Sequence, residues 1–283
     1  MSGPITVAVT ASDLQAKVSG SSFYAGMRVL PKAEREAMYA IYGFCRIVDD
    51  IADDLDRPIE TRRAELDAWR GHVAALYRGE SPAEAAFLAD PIRRFGIEQA
   101  DFVAVIDGMQ TDLDGEVRWP SFAELDLYCD RVASAVGRLS VKVFGMERET
   151  GIALSHHLGR ALQFTNILRD IDEDAGIGRV YLPREALDAA GIAPVTPAQV
   201  VADPRLERAA RWLAPKAQAH FAEAHAILAA RPRGHLIAPR LMDSAYSRIL
   251  ERMVRQGWQA PRQRIGTSKW RLALALVRYG LFR

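Results

Sequence analysis

Apolar residues recur three and four positions apart through nearly the whole chain, while strict apolar/polar alternation is almost absent. Such a chain buries its apolar surface as helix stripes packed on other helices, so the expected fold class is all-α. The pattern is clearest over 34–55, 61–77, 152–171, 204–230 and 241–256. Breaks are expected at Arg57-Pro58, Ser81-Pro82, Asp90-Pro91, Trp119-Pro120, Leu182-Pro183 and Asp203-Pro204, most of them opening a helix. Ser121 to Glu124 predicts a capping box ahead of the helix carrying Tyr128. The stretch 190–203, interrupted by Gly191, Pro194 and Pro197, predicts a long surface loop. No repeat or compositional shift divides the chain, so one domain over 1–283 is expected.

Charge narrows the function classes. With 37 Lys+Arg against 36 Asp+Glu the formal charge is +1. That balance gives no general attraction to nucleic acid, and an anionic partner must be held by a local basic cluster. Cys45 and Cys129 read as small buried hydrophobes and suit a reducing cytoplasm. No secretory signal and no apolar run of about 20 residues is present, so a cytoplasmic location is expected. After Glu251 the chain has no acidic residue, whereas Arg252, Arg255, Arg262, Arg264, Lys269, Arg271, Arg278 and Arg283 are basic. This Trp270-bearing tail suits either peripheral contact with the anionic inner face of a membrane or a solvated terminal helix.

Two acidic stripes carry the chemistry. On a helix, Tyr42, Arg46, Asp49 and Asp53 fall within an arc of roughly 60°, with Ile41, Phe44, Val48, Ile51 and Leu55 on a separate apolar arc. Gln163, Asn166, Asp170 and Asp174 share an arc of about 80° beside Phe164, Ile167, Leu168 and Ile171. Either stripe alone is compatible with a solvated acidic face. Together, their hard oxygen donors suit Mg²⁺, which recruits phosphate oxygens, and Arg46 and Arg169 stand ready to meet those phosphates. The combination reads as a diphosphate site.

Competing sites fail on residue type. Asp170-x-Asp172-x-Asp174 imitates a calcium loop, but Ala175 replaces its glycine and Tyr181 its final glutamate. The histidines form no His-x-x-x-His or Cys/His ligand spacing, and His156-His157 reads as polar helix surface. Neither Gly-x-Gly-x-x-Gly nor a P-loop is present.

The chain resembles the squalene/phytoene synthase family of head-to-head isoprenyl synthases over nearly its whole length. The likeness rests on five motifs in order: Ser21-Ser-Phe-Tyr24; Tyr42-x-x-x-Arg46-x-x-Asp49-x-x-x-Asp53; Tyr128-Cys-x-x-Val132-Ala-x-x-Val136-Gly137; Gln163-x-x-Asn166-Ile-Leu-Arg169-Asp170-x-x-x-Asp174; and Gly178-Arg-x-Tyr181-Leu-Pro183. Within the family it looks closest to the bacterial presqualene-forming branch of hopanoid synthesis. Gly20 stands where many phytoene synthases place Ser, and Asp172 where they often have Gly.

The resemblance implies a helical isoprenoid-synthase bundle around a central apolar cavity. It implies Mg²⁺, with Mn²⁺ able to substitute, held by Asp49, Asp53, Asn166, Asp170 and Asp174. Tyr42, Arg46, Arg169, Tyr246 and Arg264 resemble the family's diphosphate contacts, with Arg262 as the competitor for the last position. Gln163 joins the substrate contacts, Ser22 supplies an acceptor-side hydroxyl, and Tyr128 orients the proton transfer or faces the cation. The implied reaction condenses two farnesyl diphosphates to presqualene diphosphate without NADPH, with a separate reductase as a conceivable downstream partner. Alternatives are a phytoene synthase using geranylgeranyl diphosphate, a complete NADPH-dependent squalene synthase, and a non-catalytic membrane-associated assembly partner. The last would be expected to have lost carboxylates, and both acidic motifs are complete here.

Overall fold

The computed structural model describes residues 22–115 and 118–266. Among these the regular structure is helical, with one isolated bridge between Arg118 and Val180, as the apolar periodicity requires. The chain opens with α1 (Ser22–Met27), α2 (Lys32–Asp53), α3 (Ile59–Tyr77), α4 (Ala86–Phe95) and α5 (Gln99–Leu113). Next come α6 (Phe122–Cys129), a π-helical turn (Asp130–Ser134), α7 (Ala135–Val143) and α8 (Arg148–Arg169). It closes with α9 (Ile171–Gly176), α10 (Arg184–Ala190), α11 (Pro197–Ala202), α12 (Leu206–Ala229) and α13 (Ile237–Gln256).

Several punctuation signals act as their chemistry demands. Pro58 and Pro183 stand immediately before α3 and α10. Ser121 and Glu124 form the expected reciprocal capping box at α6. Three local expectations are corrected. Pro91 does not break the chain but sits inside α4, where it and Leu88 are both buried, so packing outweighs one missing amide. The stretch 190–203 is not all loop. Thr196 Oγ1 accepts from the Gln199 amide, Pro197 starts α11, and Val200 anchors that short helix in the core. Leu55 does not share the buried face of Ile41, Phe44 and Val48, because α2 ends at Asp53 and leaves Leu55 62% exposed.

Two apolar cores result. One gathers α6, α8, α10, α12 and the second half of α13 around Phe164, Leu213 and Leu250. The other gathers α2 to α5 and α7 around Phe44, Leu66, Phe102 and Leu139. Val132 and Met146 pack against both and join them.

The join is close because side chains are missing there. A methyl group on Gly159 of α8 would sit 2.7 Å from the backbone of Ser134, and one on Gly137 of α7 would sit 2.9 Å from Ser155 Cβ. Beneath this contact Arg160, only 5% exposed, holds both oxygens of Asp126 through Nε and Nη2 and reaches Asp130 and the Ser134 hydroxyl through Nη1. The π turn brings Asp130 within reach of Arg138 as well, which in turn pairs with Asp101 of α5. Gly159→Ala is therefore expected to destabilise the protein by about 1–3 kcal/mol through overpacking against backbone. A lowered urea midpoint at unchanged slope would show it, and an unchanged midpoint would refute it.

Candidate active site

A cavity of about 350 Å³ lies between the two cores. Its wall is mostly apolar, with Val105 and Met109 from α5, Val136 from α7, Leu158 and Leu162 from α8, and Met242 from α13. Ser140 and Ser155 also reach it, but their hydroxyls donate to the Val136 and Gly151 carbonyls of their own helices. Polar residues collect at one end: Tyr42, Arg46 and Asp49 from α2, Gln163 and Asn166 from α8, and Tyr246 from α13.

The first acidic stripe lies on α2 in the expected register. Arg46 Nη1 donates to Asp49 Oδ2 at 2.6 Å and Nη2 to Asp50 Oδ1 at 3.1 Å. The second stripe bends. α8 stops at Arg169, Asp170 takes φ −104°, ψ 20°, and α9 restarts at Ile171. Helical bonding nevertheless runs through the bend, from the Asp170 amide to Asn166 O and from the Asp174 amide to Asp170 O, so the acidic face is kept. Arg169 grips Asp170 at 2.8 and 2.5 Å and stands 6.0 Å from the Tyr246 ring. Arg264 Nε reaches Asp170 Oδ1 at 2.8 Å, whereas Arg262 is committed to Asp172.

Crowded carboxylates distort one another's acidity. Burial and the neighbouring Asp53 charge push Asp49 up to about 6, against the opposing pull of Arg46. Burial and the Asp170 charge push Asp174 up to about 7. Burial also acts to raise Asp170, but hydrogen bonds from Arg169 and Arg264 outweigh it and hold this carboxyl below its ordinary value.

Three participants were not singled out from the sequence. Arg179 lies in the fifth motif and its Nη1 donates to Asp53 Oδ1 at 3.0 Å, tying the loop after α9 to the end of α2. Buried Asp112 accepts from Tyr128 at 2.8 Å and from Tyr181 at 2.7 Å, and those two rings stack at 5.2 Å. Arg179 Nη2 approaches the Asp112 carbonyl at 3.4 Å, so the tyrosine pair, Asp112, Arg179 and Asp53 form one chain of contacts. Tyr128 thus lies behind the acidic end, and the cavity wall is made by other residues. Ser22 starts α1, but its side chain falls outside the described part of the structure, as do residues 267–283 of the basic tail. Among the described residues no helix is long and apolar enough to cross a membrane.

The donor set fits a hard divalent cation. Asp49, Asp53, Asp170 and Asp174 offer carboxylate oxygens, and Asn166 Oδ1 is buried with no hydrogen-bond partner while its amide nitrogen bonds Gln163 at 3.3 Å. An apolar chamber whose open end bears two such motifs, each with its own arginine, is that of a helical protein built for an amphiphile with a multiply charged anionic head. The squalene/phytoene synthase model matches residues 16–271, and the chain belongs to that family. It is 60% identical over 270 residues to a presqualene diphosphate synthase of Zymomonas mobilis, covering 94% of this chain and 92% of that one. It is 53% identical over 262 residues to the protein of the same name from Rhodopseudomonas palustris, covering 93% and 94%. The fold superposes on that of a dehydrosqualene synthase crystallised with ligand at a TM-score of 0.81 and 24% identity, covering 96% and 94% of the two chains.

The raised carboxyls carry a stability consequence. A carboxyl that is a weaker acid folded than unfolded makes the metal-free protein lose stability as pH rises from about 4 toward 7. In EDTA, Asp174→Asn is expected to raise the thermal midpoint at pH 8 and to leave it nearly unchanged at pH 4. Equal midpoints for the two proteins at pH 8 would contradict the assignment.

Proposed function

We propose that this chain is a magnesium-dependent prenyltransferase that joins two farnesyl diphosphates head to head, in a 1′-2-3 linkage, to give presqualene diphosphate and pyrophosphate. The observation that carries this reading is the apolar cavity whose polar end takes Asp49 from the α2 motif and Gln163 and Asn166 from the α8 motif, with Arg179 acting on both Asp53 and Asp174 beside it. The names borne by relatives of 60% and 53% identity support the same substrate.

Asp49, Asp53, Asn166, Asp170 and Asp174 would hold Mg²⁺, or Mn²⁺ in its place. When bound, the metal supplies positive charge that stabilises the departing diphosphate. Arg46, Arg169 and Arg264, which hold Asp49, Asp50 and Asp170 in the metal-free chain, would turn their planar forks to phosphate oxygens once metal takes up those carboxylates, and Tyr42, Gln163 and Tyr246 complete the polar rim. Ser22 supplies a hydroxyl on the acceptor side. The C1–O bond of one farnesyl diphosphate breaks, its electron pair leaves with pyrophosphate, and an allylic cation remains. Apolar side chains keep water from that cation, and the two serine hydroxyls of the wall are already engaged with helix carbonyls. The C2–C3 double bond of the second substrate attacks C1, and loss of a proton closes the cyclopropane. Tyr128 suits a positioning role: it fixes Asp112, which also holds Tyr181 and adjoins Arg179, the partner of Asp53. No electrons are gained or lost overall, so this step needs no NADPH. A reductive reaction consumes the product, in a separate reductase.

Purified protein with Mg²⁺ and farnesyl diphosphate, with and without NADPH, should yield presqualene diphosphate in both cases, released as its alcohol by phosphatase. Squalene formed only with NADPH would add the reductive half-reaction to this chain. Absence of any C30 product, with C40 product from geranylgeranyl diphosphate, would overturn the proposal in favour of phytoene synthesis. Asp49→Asn and Asp170→Asn are each expected to lower kcat/KM by roughly 10²-fold or more while the protein remains folded. Near-normal turnover in both variants would refute the metal assignment.

The basic tail is the natural element for contact with an anionic inner-membrane surface. Truncation after Ser268 should reduce sedimentation with anionic vesicles, and undiminished binding would remove that role from the tail.

A further inference from the structure

Three imidazoles converge on the seam between α8 and α12, apart from the cavity. His156 and His157 are neighbours on α8 and His220 comes from α12, and one ring nitrogen of each lies within 4.8 Å of the others. His157 Nδ1 stands 3.1 Å from His220 Nδ1. The three ring-centroid separations are 4.8, 5.2 and 5.6 Å. Read along the sequence, His156-His157 is only polar helix surface. The third member is 63 residues away and arrives through the packing of α12 on α8.

We propose that His156, His157 and His220 form a binding site for a borderline-soft divalent transition metal, Zn²⁺ or Co²⁺ in character, that clamps α12 to α8.

The geometry supports it first. Two imidazole nitrogens 3.1 Å apart, each about 2.0–2.1 Å from a shared ion, subtend roughly 95–100° at it, between octahedral and tetrahedral values. His156 supplies a third nitrogen within 4.8 Å of the other two. Imidazole is a good ligand for this class of ion and a poor one for Mg²⁺, so the two sites divide metals by chemistry. Three protein ligands leave room for water, because Asp126 has both oxygens engaged by Arg160.

Electrostatics does not oppose a cation here. Arg160 lies close by, but Arg160 and Arg138 together face Asp101, Asp126 and Asp130, two positive charges against three negative. Burial and the adjacent imidazoles push His220 down to about 4, and burial with Arg160 lowers His156, so these rings are neutral near pH 7 with lone pairs to offer. His220 also lies 5.8 Å from the ring of Phe164, two residues before the cavity-lining Asn166. A metal at this seam stiffens the segment of α8 that presents the second acidic motif.

The test uses the full chain, purified without a polyhistidine tag, stripped with EDTA and dialysed before titration with Co²⁺ and then Zn²⁺. With Mg²⁺ in excess to occupy the acidic site, expected are a visible absorption band that saturates at one equivalent of Co²⁺, its displacement by Zn²⁺, and a rise in thermal midpoint with Zn²⁺. His157→Gln and His220→Gln should each weaken binding by at least about tenfold and abolish the midpoint rise, with metal-free midpoints near that of the parent. Asp174→Asn, in the acidic site, should keep the band and the rise. No band and no Zn²⁺-dependent rise in the parent chain would overturn the proposal, leaving a neutral hydrogen-bonded pair. So would binding that survives both histidine variants and disappears in Asp174→Asn.

Discussion

Four carboxylates that repel one another, drawn together where two apolar cores meet, are the constraint on which the rest of the structure depends. Asp53 is the last residue of α2 and Asp170 closes α8, so one carboxylate of each motif lies at a helix C-terminus, where the macrodipole is already negative. Those two carboxylates are disfavoured twice, by their neighbours and by the helix that each one ends. The chain offsets part of this with Arg46 and Arg169 inside the motifs and with Arg179 and Arg264 brought in from far along the sequence. The weakened acidity of Asp49 and Asp174 is what remains after those arginines have acted. A site in this condition favours cations, and the apolar chamber beneath it determines what kind of anion those cations serve.

How much of this was legible in the sequence depended on the range of the interaction. The helix periodicity located the long helices to within a few residues at each end, because amphipathic burial is a local pattern. The Arg46–Asp49 pair was legible for the same reason: three residues on a helix is one turn. Pro91 misled because its cost is local while the burial that tolerates it is not. The bend at Asp170 was hidden by an unbroken helical pattern, and only the backbone angles reveal it. Arg179 and Asp53 are separated by 126 residues and Tyr181 and Asp112 by 69, distances over which composition and spacing carry no signal. Family motifs flagged Gly178 to Pro183 without saying why that stretch matters. The contact of Arg179 with Asp53 supplies the physical reason.

The interior is less uniformly apolar than a helical bundle requires. Asp101, Asp126, Asp130, Arg138 and Arg160 knit α5, α6, the π turn, α7 and α8 through charge-assisted hydrogen bonds. Removing any one partner leaves an uncompensated charge, so the cluster selects against slipped arrangements of these helices more than it adds stability. The extra residue of the π turn is what allows Asp130 to face both arginines at once.

That arrangement leaves α2 in one core and α8 in the other, with the acidic motifs facing each other across the seam. Whatever neutralises the motifs therefore also sutures the halves. A cation bound there adds its binding free energy to the packing that already holds the two halves together.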